Sequence, residues 1–570
     1  MEFRNHEIVE SGEIRVGQSE NDTDKLHQRT ISPVRDQQLD CEQREVARLQ
    51  RRGVIPPVIS INGRLLVKKQ KIAILSKREI DLIGRDKTIF TIKKRKVSVR
   101  VVRVSDCPNP EGEYGKISYT ALLEFDELNP SVIARNAFSG ATFASIDQSN
   151  NFVLSGTLPG SKPSPPVQDD LISATAANSD FQPVDEKDIS HYPESATCVV
   201  AVIDSGVKFD FANRPSQNQY QYTDRSGVTG PLQLVRGKSI CGSESAGIGY
   251  CGITAYLDVP NTAGQPVPPL LDALKTLTRP QIAGSAFDDH RMNHTLESPA
   301  GLRSDSISGR HGTYITAIIN QESDRQVSVL PVKAFNCGGY STLFDLLSCL
   351  NYVLEQKRNG LPVYVMNASW VGSLDDEGQA LLTRKFRALE KAGIIVVAAA
   401  GNQGKDLNSN NLYPARYSSV FTNVITVTSV EPAARTTGLG TKQEAINELV
   451  PEDDTSLMAH LNLDRPRVQY RLRGFKAVGN YSQTFVSIGV YGRCWSGFKS
   501  PFKDEPGIRG TSYAAAYVSG QIASYLHRNN IVPTAEGMVD LKQKLFEELT
   551  CFEKSLERTV QEGRLLIVNS

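Results

Sequence analysis

Between residues 198 and 549 short, nearly unbroken apolar runs alternate with longer stretches of helical periodicity. The apolar runs are 198–203, 327–335, 363–366, 393–400, 424–430 and 485–490; the helical stretches are 311–321, 341–357, 377–391, 511–528 and 534–549. A strand that is apolar throughout is covered on both faces, and the helices between such strands are the natural cover. The pattern therefore predicts an α/β domain with a doubly wound parallel sheet. Functional groups in such a sheet gather beyond the carboxyl ends of the strands, so the residues that end strands and begin helices carry the most information.

Four of these junctions hold polar residues of interest. Asp204 ends the first run in Ile203-Asp204-Ser205-Gly206, and His311 opens the first helix in Gly309-Arg310-His311-Gly312-Thr313. Asn402 follows the fourth run in Ala399-Ala400-Gly401-Asn402, and Ser512 lies at a helix start in Gly510-Thr511-Ser512-Tyr513-Ala514-Ala515. Singly, each has an ordinary role: serine and aspartate cap helices and turns, asparagine follows glycine in turns, and a histidine at a helix mouth is structural. Together they are the reagents of acyl transfer. A serine hydroxyl needs a base, histidine has a suitable pKa, and a carboxylate fixes the imidazole tautomer. The Asn402 amide and the Ser512 backbone N–H could then stabilise an oxyanion. Gly510 permits a sharp turn, and Ala514, Ala515, Ala516 and Gly520 are expected to let the helix lie close against a sheet.

These four motifs, in this order, resemble those of the subtilisin-like serine proteases, the subtilases. The resemblance covers about 197–570 and extends to Val332-Lys333-Ala334-Phe335, Asn367-Ala368-Ser369-Trp370, Tyr413-Pro414-Ala415-Arg416-Tyr417 and Gly563-Arg564-Leu565. It implies a catalytic domain over 191–570 and a serine endopeptidase working through an acyl-enzyme. Asp204, His311 and Ser512 would be catalytic and Asn402 would line the oxyanion hole. An edge from Ser369 to Gly372, with Ser369, Trp370 and Gly372 as binding residues, would pair with an extended protein or peptide substrate. Ala516 stands where the family usually has proline, and Tyr314-Ile315-Thr316 replaces the commoner His-Val-Ala. Both departures are expected to alter helix packing without removing a catalytic atom. Two other uses of the same set stay open: a catalytically silent binding module, and a ligase or cyclase that passes the acyl group to an amine.

Residues 1–52 read as a polar arm, 53–158 as a small β-rich domain, and 159–190, which begins Pro159-Gly160-Ser161-Lys162-Pro163, as a linker. Their position ahead of the catalytic domain suggests a regulatory segment, an intramolecular inhibitor laid across the cleft. Insertions near 208–305 and 431–474 are candidate lids or filters. Within the first, Gly247-Ile248-Gly249-Tyr250-Cys251-Gly252 matches a dinucleotide-binding formula without the flanking strand and helix, and reads as a loop. Cys241, Cys251, His290 and His294 have no standard zinc spacing. Asp375, Asp376 and Glu377 read as an acidic helix start or, if they face the cleft, as a selector for basic side chains.

The formal net charge of +1 argues against a polyanionic partner, and the basic run Lys93-Lys94-Arg95-Lys96 between two strand patterns reads as a solvated hairpin turn. No nucleic-acid or membrane partner is expected. The polar start at Met1 and the nine scattered cysteines are read as a cytoplasmic protein with reduced thiols. The chemistry requires no metal or cofactor, and no spacing singles out a structural calcium loop.

Overall fold

The computed structural model describes residues 58–61, 64–84, 86, 88–92, 95–110, 117–125, 148–155, 197–207, 222–223, 229–230, 235, 250–251, 311–335, 340–438, 469–494, 497–499, 501 and 508–568. All of them fall in one unit, Gly53–Ser570. The arm expected at 1–52, the linker at 159–190, most of the insertion at 208–305, and Cys241, His290 and His294 within it lie outside the described residues.

The strands that come first are antiparallel. They are β1 (Val58–Ile61), β2 (Arg64–Leu75), β3 (Thr88–Ile92), β4 (Arg95–Val104), β5 (Tyr119–Phe125) and β6 (Gln148–Ser155), with helix α1 (Lys77–Ile83) after β2. A capping box starts α1: Glu79 N–H donates to Ser76 Oγ, and Ser76 N–H donates to the Glu79 carboxylate. Strands β3 and β4 pair antiparallel from Thr88↔Val99 to Ile92↔Arg95, which puts Arg95 and Lys96 of the basic run at the start of β4; Lys93 and Lys94 lie outside the described residues. Alternation along β2 gives the sheet two apolar faces. Ala73 and Leu75 join Val99, Leu123 and Phe125 beneath Ile83 of α1, while Ile72 and Ile74 join Leu122, Phe152 and Leu154 on the other face.

The remaining elements, in chain order, are β7 (Cys198–Asp204), β8 (Tyr222–Thr223), β9 (Thr229–Gly230), β10 (Tyr250–Cys251), α2 (His311–Glu322), β11 (Val327–Lys333), β12 (Tyr340–Thr342), α3 (Leu343–Arg358), β13 (Val363–Ala368), α4 (Asp376–Lys391), β14 (Ile395–Ala399), β15 (Val424–Gly438), β16 (Gln469–Ala477), β17 (Ile488–Tyr491), β18 (Arg493–Cys494), β19 (Gly497–Phe498), α5 (Thr511–Arg528), α6 (Met538–Leu549), β20 (Cys551–Phe552) and β21 (Arg564–Ile567). Among the described residues, the larger sheet has the order β10-β11-β7-β13-β14-β15-β17-β21-β20. Its pairs from β10 to β21 are parallel, and β20 closes the edge antiparallel to β21.

Both faces of that sheet are covered, as unbroken apolar strands require. In β7, Cys198, Val200 and Val202 pack with side chains of α2, α5 and α6, whereas Val199, Ala201 and Ile203 pack with those of α3 and α4. Helix α5 runs unbroken through Ala516, and Ala514, Ala515 and Ala516 are fully buried. Gly520 serves a different neighbour from the one expected. A Cβ there would come within 2.9 Å of Ile319 O and 2.7 Å of Glu322 Cβ, so the close approach is between α5 and α2.

Several boundaries differ from the sequence reading. The last helix begins at Met538, because Gly537 N–H donates to Thr534 Oγ1 and the residues before it form a turn. Strand β15 runs to Gly438 because β16 pairs antiparallel with its far half, from Val430↔Ala477 to Gly438↔Gln469, so the ends of the second insertion form a ribbon. Tyr250 and Cys251, in the glycine-rich stretch read as a loop, form a short strand beside Val332 and Lys333. Among the described residues no helix is long and apolar enough to cross a membrane, and no three His, Cys, Asp or Glu side chains gather as a metal site requires.

The two sheets are joined through β12. It pairs antiparallel with β6, Tyr340↔Ser155 to Thr342↔Val153, so a strand from the α/β part completes the N-terminal sheet. Phe152 and Leu154 share a core cluster with Leu347, Trp370, Leu382 and Phe386. Several polar groups are paired across this contact. The fully buried Lys385 donates from Nζ to Asn109 Oδ1 at 2.7 Å, Asn351 Nδ2 donates to the same oxygen at 3.2 Å, and Phe344 N–H donates to Asn151 Oδ1 at 3.1 Å.

Candidate active site

Parallel strands end on the same side of the sheet, and β7, β13 and β14 deliver Asp204, Ser369 and Asn402 there. Asp204 is the last residue of β7. Its carbonyl accepts from Ala334 N–H (2.8 Å) and Phe335 N–H (3.2 Å), so the neighbouring strand fixes its backbone. Its carboxylate faces His311 at the first residue of α2: Nδ1 lies 2.8 Å from Oδ1 and 3.0 Å from Oδ2. Asp204 Oδ1 also accepts from Ser205 N–H at 2.7 Å, which fixes the carboxylate's orientation.

Three further contacts lock this corner. Gly312 N–H donates to Ser205 Oγ at 2.9 Å, and the buried Lys333 ammonium donates to Ser205 O. Gly312 has to be glycine: a Cβ would lie 2.2 Å from Gly206 O and 3.2 Å from Asp204 Cβ. Helices α2 and α5 pack together, and the His311 and Tyr513 rings stand 5.6 Å apart, centroid to centroid. The imidazole is thereby held beside the first turn of α5.

Ser512 is the second residue of that turn. Gly510 before it has φ 139°, a conformation that favours glycine, and a Cβ there would press on the Asn402 amide. Ser512 Oγ rests 3.3 Å from Ser369 O. Ser369 Oγ in turn lies 2.8 Å from Asn367 Oδ1 and 2.9 Å from Ser512 O, and its single proton serves one of them at a time. Asn367 Nδ2 donates to Ser519 Oγ at 3.1 Å, tying the end of β13 to α5.

Asn402 Oδ1 accepts from Thr511 N–H at 2.8 Å and from Thr511 Oγ1 at 3.0 Å, while Gly401 N–H donates to Thr511 Oγ1 at 3.0 Å. With its oxygen committed to Thr511, Asn402 keeps Nδ2 as a donor at the mouth of α5, on the side where the unpaired N–H groups and positive dipole end of a helix are found.

The binding residues implied by the resemblance are placed differently from one another. The hydroxyl of Ser369 and the indole of Trp370 are buried, Trp370 within the core cluster that also holds Leu154. Gly372 exchanges both of its backbone hydrogen bonds with Tyr413 (2.8 and 2.9 Å), so the edge expected from Ser369 to Gly372 is already paired at that residue. Burial pushes the Tyr413 phenol above its ordinary pKa and keeps it neutral. On its other side Gly372 meets Leu154 of β6; a Cβ would lie 2.0 Å from Leu154 Cδ2. Asp375 is a helix cap, accepting Gly378 N–H at 2.8 Å, with its second oxygen 3.4 Å from Asn150 Nδ2. Ser205, Lys333, Asn367 and Thr511 support the site without having been singled out for it. Only proximity to a motif marked Ser205 and Thr511, and nothing in their own chemistry did.

A doubly wound parallel sheet with aspartate, histidine, serine and asparagine at its strand and helix ends defines a class of α/β proteins able to build a serine nucleophile site. The subtilase family model matches residues 195–550, and the chain belongs to that family. It is 26% identical over 141 residues to subtilisin-like protease 3 of Plasmodium falciparum, 29% over 132 residues to a cuticle-degrading serine protease of Arthrobotrys oligospora, and 30% over 123 residues to subtilisin DY of Bacillus licheniformis. These stretches span 21%, 23% and 20% of this chain and 17%, 29% and 41% of the relatives. Among solved structures, a cold-adapted subtilisin-like serine proteinase aligns over 66% of this chain and 91% of its own, at 18% identity and a TM-score of 0.35. A structure of the subtilase cytotoxin SubAB assembly aligns over 65% and 87%, at 16% identity and a TM-score of 0.34.

Proposed function

We propose that the chain is a serine endopeptidase in which His311 deprotonates Ser512, Asp204 orients the imidazole, and Asn402 and the Ser512 N–H bind the oxyanion. The observation that carries this reading is the Asp204–His311 hydrogen bond, held beside the helix start that bears Ser512. With Nδ1–H donating to Asp204, Nε2 is the ring's acceptor and can take the serine proton. The resulting imidazolium is stabilised by the carboxylate and returns its proton to the leaving amine, and water then hydrolyses the acyl-enzyme. A fluorophosphonate probe tests the reading. It is expected to label Ser512 in the full chain or in a form lacking the N-terminal region, and absence of label in both would refute it.

The same proposal makes the N-terminal sheet an intramolecular inhibitor. It is supported by β6, which pairs with β12 and lays Leu154 on Gly372, beside the strand end that carries Ser369. A cut in the 159–190 stretch would break the covalent link between the sheet and the α/β part, leaving the β6–β12 pairing and the shared core to hold them. Leu154→Asp places a charge in an apolar contact, which is unfavourable without a partner. It is expected to speed fluorophosphonate labelling of the full chain at least about tenfold, the equivalent of 1.4 kcal/mol of lost block. An unchanged rate, with the fold intact by circular dichroism, would leave the sheet without an inhibitory role. The setting proposed is cytosolic, supported by the free, buried thiol of Cys198.

A further inference from the structure

The turn that carries Asn402 is braced from outside the four motifs. Asn480 is fully buried just beyond β16, and its side chain and backbone N–H bond to residues 400–405. Its backbone N–H donates to Gly401 O at 2.7 Å. Its Nδ2 donates to Ala400 O at 2.8 Å and to Gln403 Oε1 at 2.7 Å, and its Oδ1 accepts from Lys405 N–H at 2.9 Å. The connection continues through Tyr481, whose N–H donates to Lys405 O (3.0 Å) and whose carbonyl accepts from Leu407 N–H (2.9 Å).

We infer that Asn480 is the positioning residue of the oxyanion hole, setting where Asn402 Nδ2 points by fixing the turn on both sides of it. Thr511 holds the Asn402 side-chain oxygen from α5, and Asn480 holds the backbone around it, so the amide is clamped from two sides. The bonding pattern asks for a planar group with two donor hydrogens and one acceptor, which among short side chains only asparagine supplies. Aspartate lacks the donors, and serine has one. The residue before it allows the approach: a Cβ at Gly479 would lie 2.3 Å from Thr511 Cγ2 and 2.8 Å from Gly401 O. None of the four bonds reaches Asp204, His311 or Ser512. Their effect can reach the chemistry through Asn402 or through the Gly401–Thr511 bond beside Ser512; the inference takes the first route and rests on the oxyanion role proposed for Asn402. An oxyanion donor acts through its placement relative to the transition state, so small displacements cost rate rather than affinity.

The test is a double-mutant cycle in the full chain, with kcat and KM for a fluorogenic peptide and thermal melts for each variant. Asn402→Ala is expected to lose ~10²–10³ in kcat. Asn480→Ala and the isosteric Asn480→Asp are each expected to lose about tenfold or more in kcat with KM within about twofold, as misplacement of a transition-state donor predicts. Combining Asn480→Asp with Asn402→Ala should cost no more than Asn402→Ala alone, because there is then no donor left to misplace. Full kcat in folded Asn480→Asp, or losses that simply add, would overturn the inference while leaving the Asn402 assignment intact. If Asn402→Ala keeps its kcat, the oxyanion assignment fails first and this inference with it. Should Asn480→Ala not fold, the isosteric variant and its melt decide.

Discussion

Ser512→Ala is expected to lower peptide hydrolysis ~10⁶-fold, the scale of triad knock-outs measured in subtilisin, and to abolish fluorophosphonate labelling. The fold should be almost indifferent. The Ser512 hydroxyl makes a 3.3 Å contact with Ser369 O, and one neutral hydrogen bond contributes about 1 kcal/mol. The space left is that of a single oxygen. Helix α5 is held instead by Ala514, Ala515, Ala516 and Val518 against the sheet and by Gly520 against α2. Turnover and stability are thus separable at this position, which makes the variant informative: a matching melt with lost turnover identifies the nucleophile. If the variant still labels, the nucleophile is another residue and the proposed mechanism fails. Purified wild-type chain is expected to cut itself between 159 and 190, read by N-terminal sequencing, and this variant is expected not to.

The parts of this architecture that were legible in the sequence are those encoded locally. The apolar runs became β7, β11, β13, β14, β15 and β17 because each is covered on both faces, and alternation within β7 even distinguishes the two cores. Helix α5 has the bounds expected, since glycine at 510 and the polar pair at 529–530 punctuate it. The site motifs were readable for a related reason: strand ends and helix starts are marked by composition, and the sheet brings them together. Long-range pairing left no such mark. Nothing in Tyr340-Ser341-Thr342 announces that it will complete a sheet begun at Val58, and nothing in Leu154 names Gly372 as its neighbour. Asn480 shows the same limit. Its four partners lie between residues 400 and 405, and a buried asparagine next to a glycine reads in sequence as a turn. Gly520 is legible as a close-approach residue while its partner is not, because a small residue records that something comes near without recording what.

Asp204→Asn is expected to lower kcat by ~10⁴, the size of the effect when the orienting carboxylate of a serine protease triad becomes an amide. The geometry explains why an isosteric change should matter so much. His311 Nδ1 lies close to both carboxylate oxygens, 2.8 Å from Oδ1 and 3.0 Å from Oδ2, and Oδ1 also accepts Ser205 N–H. An asparagine that keeps its oxygen toward Ser205 turns its NH₂ toward His311. That donor competes with Nδ1–H and favours the tautomer with the proton on Nε2, where the ring can no longer accept from Ser512. The opposite rotamer sets NH₂ against Ser205 N–H, donor against donor. Neither arrangement disturbs the backbone, which Ala334 and Phe335 hold through the Asp204 carbonyl and Lys333 holds through Ser205 O. KM should therefore stay within about threefold and the loss should fall on kcat, as expected for an interaction made chiefly in the transition state. Fluorophosphonate labelling should slow in parallel, since it needs the same base. A variant that retains more than a tenth of wild-type kcat would show that the carboxylate does not set the tautomer of His311, and Asp204 would revert to a strand-end cap.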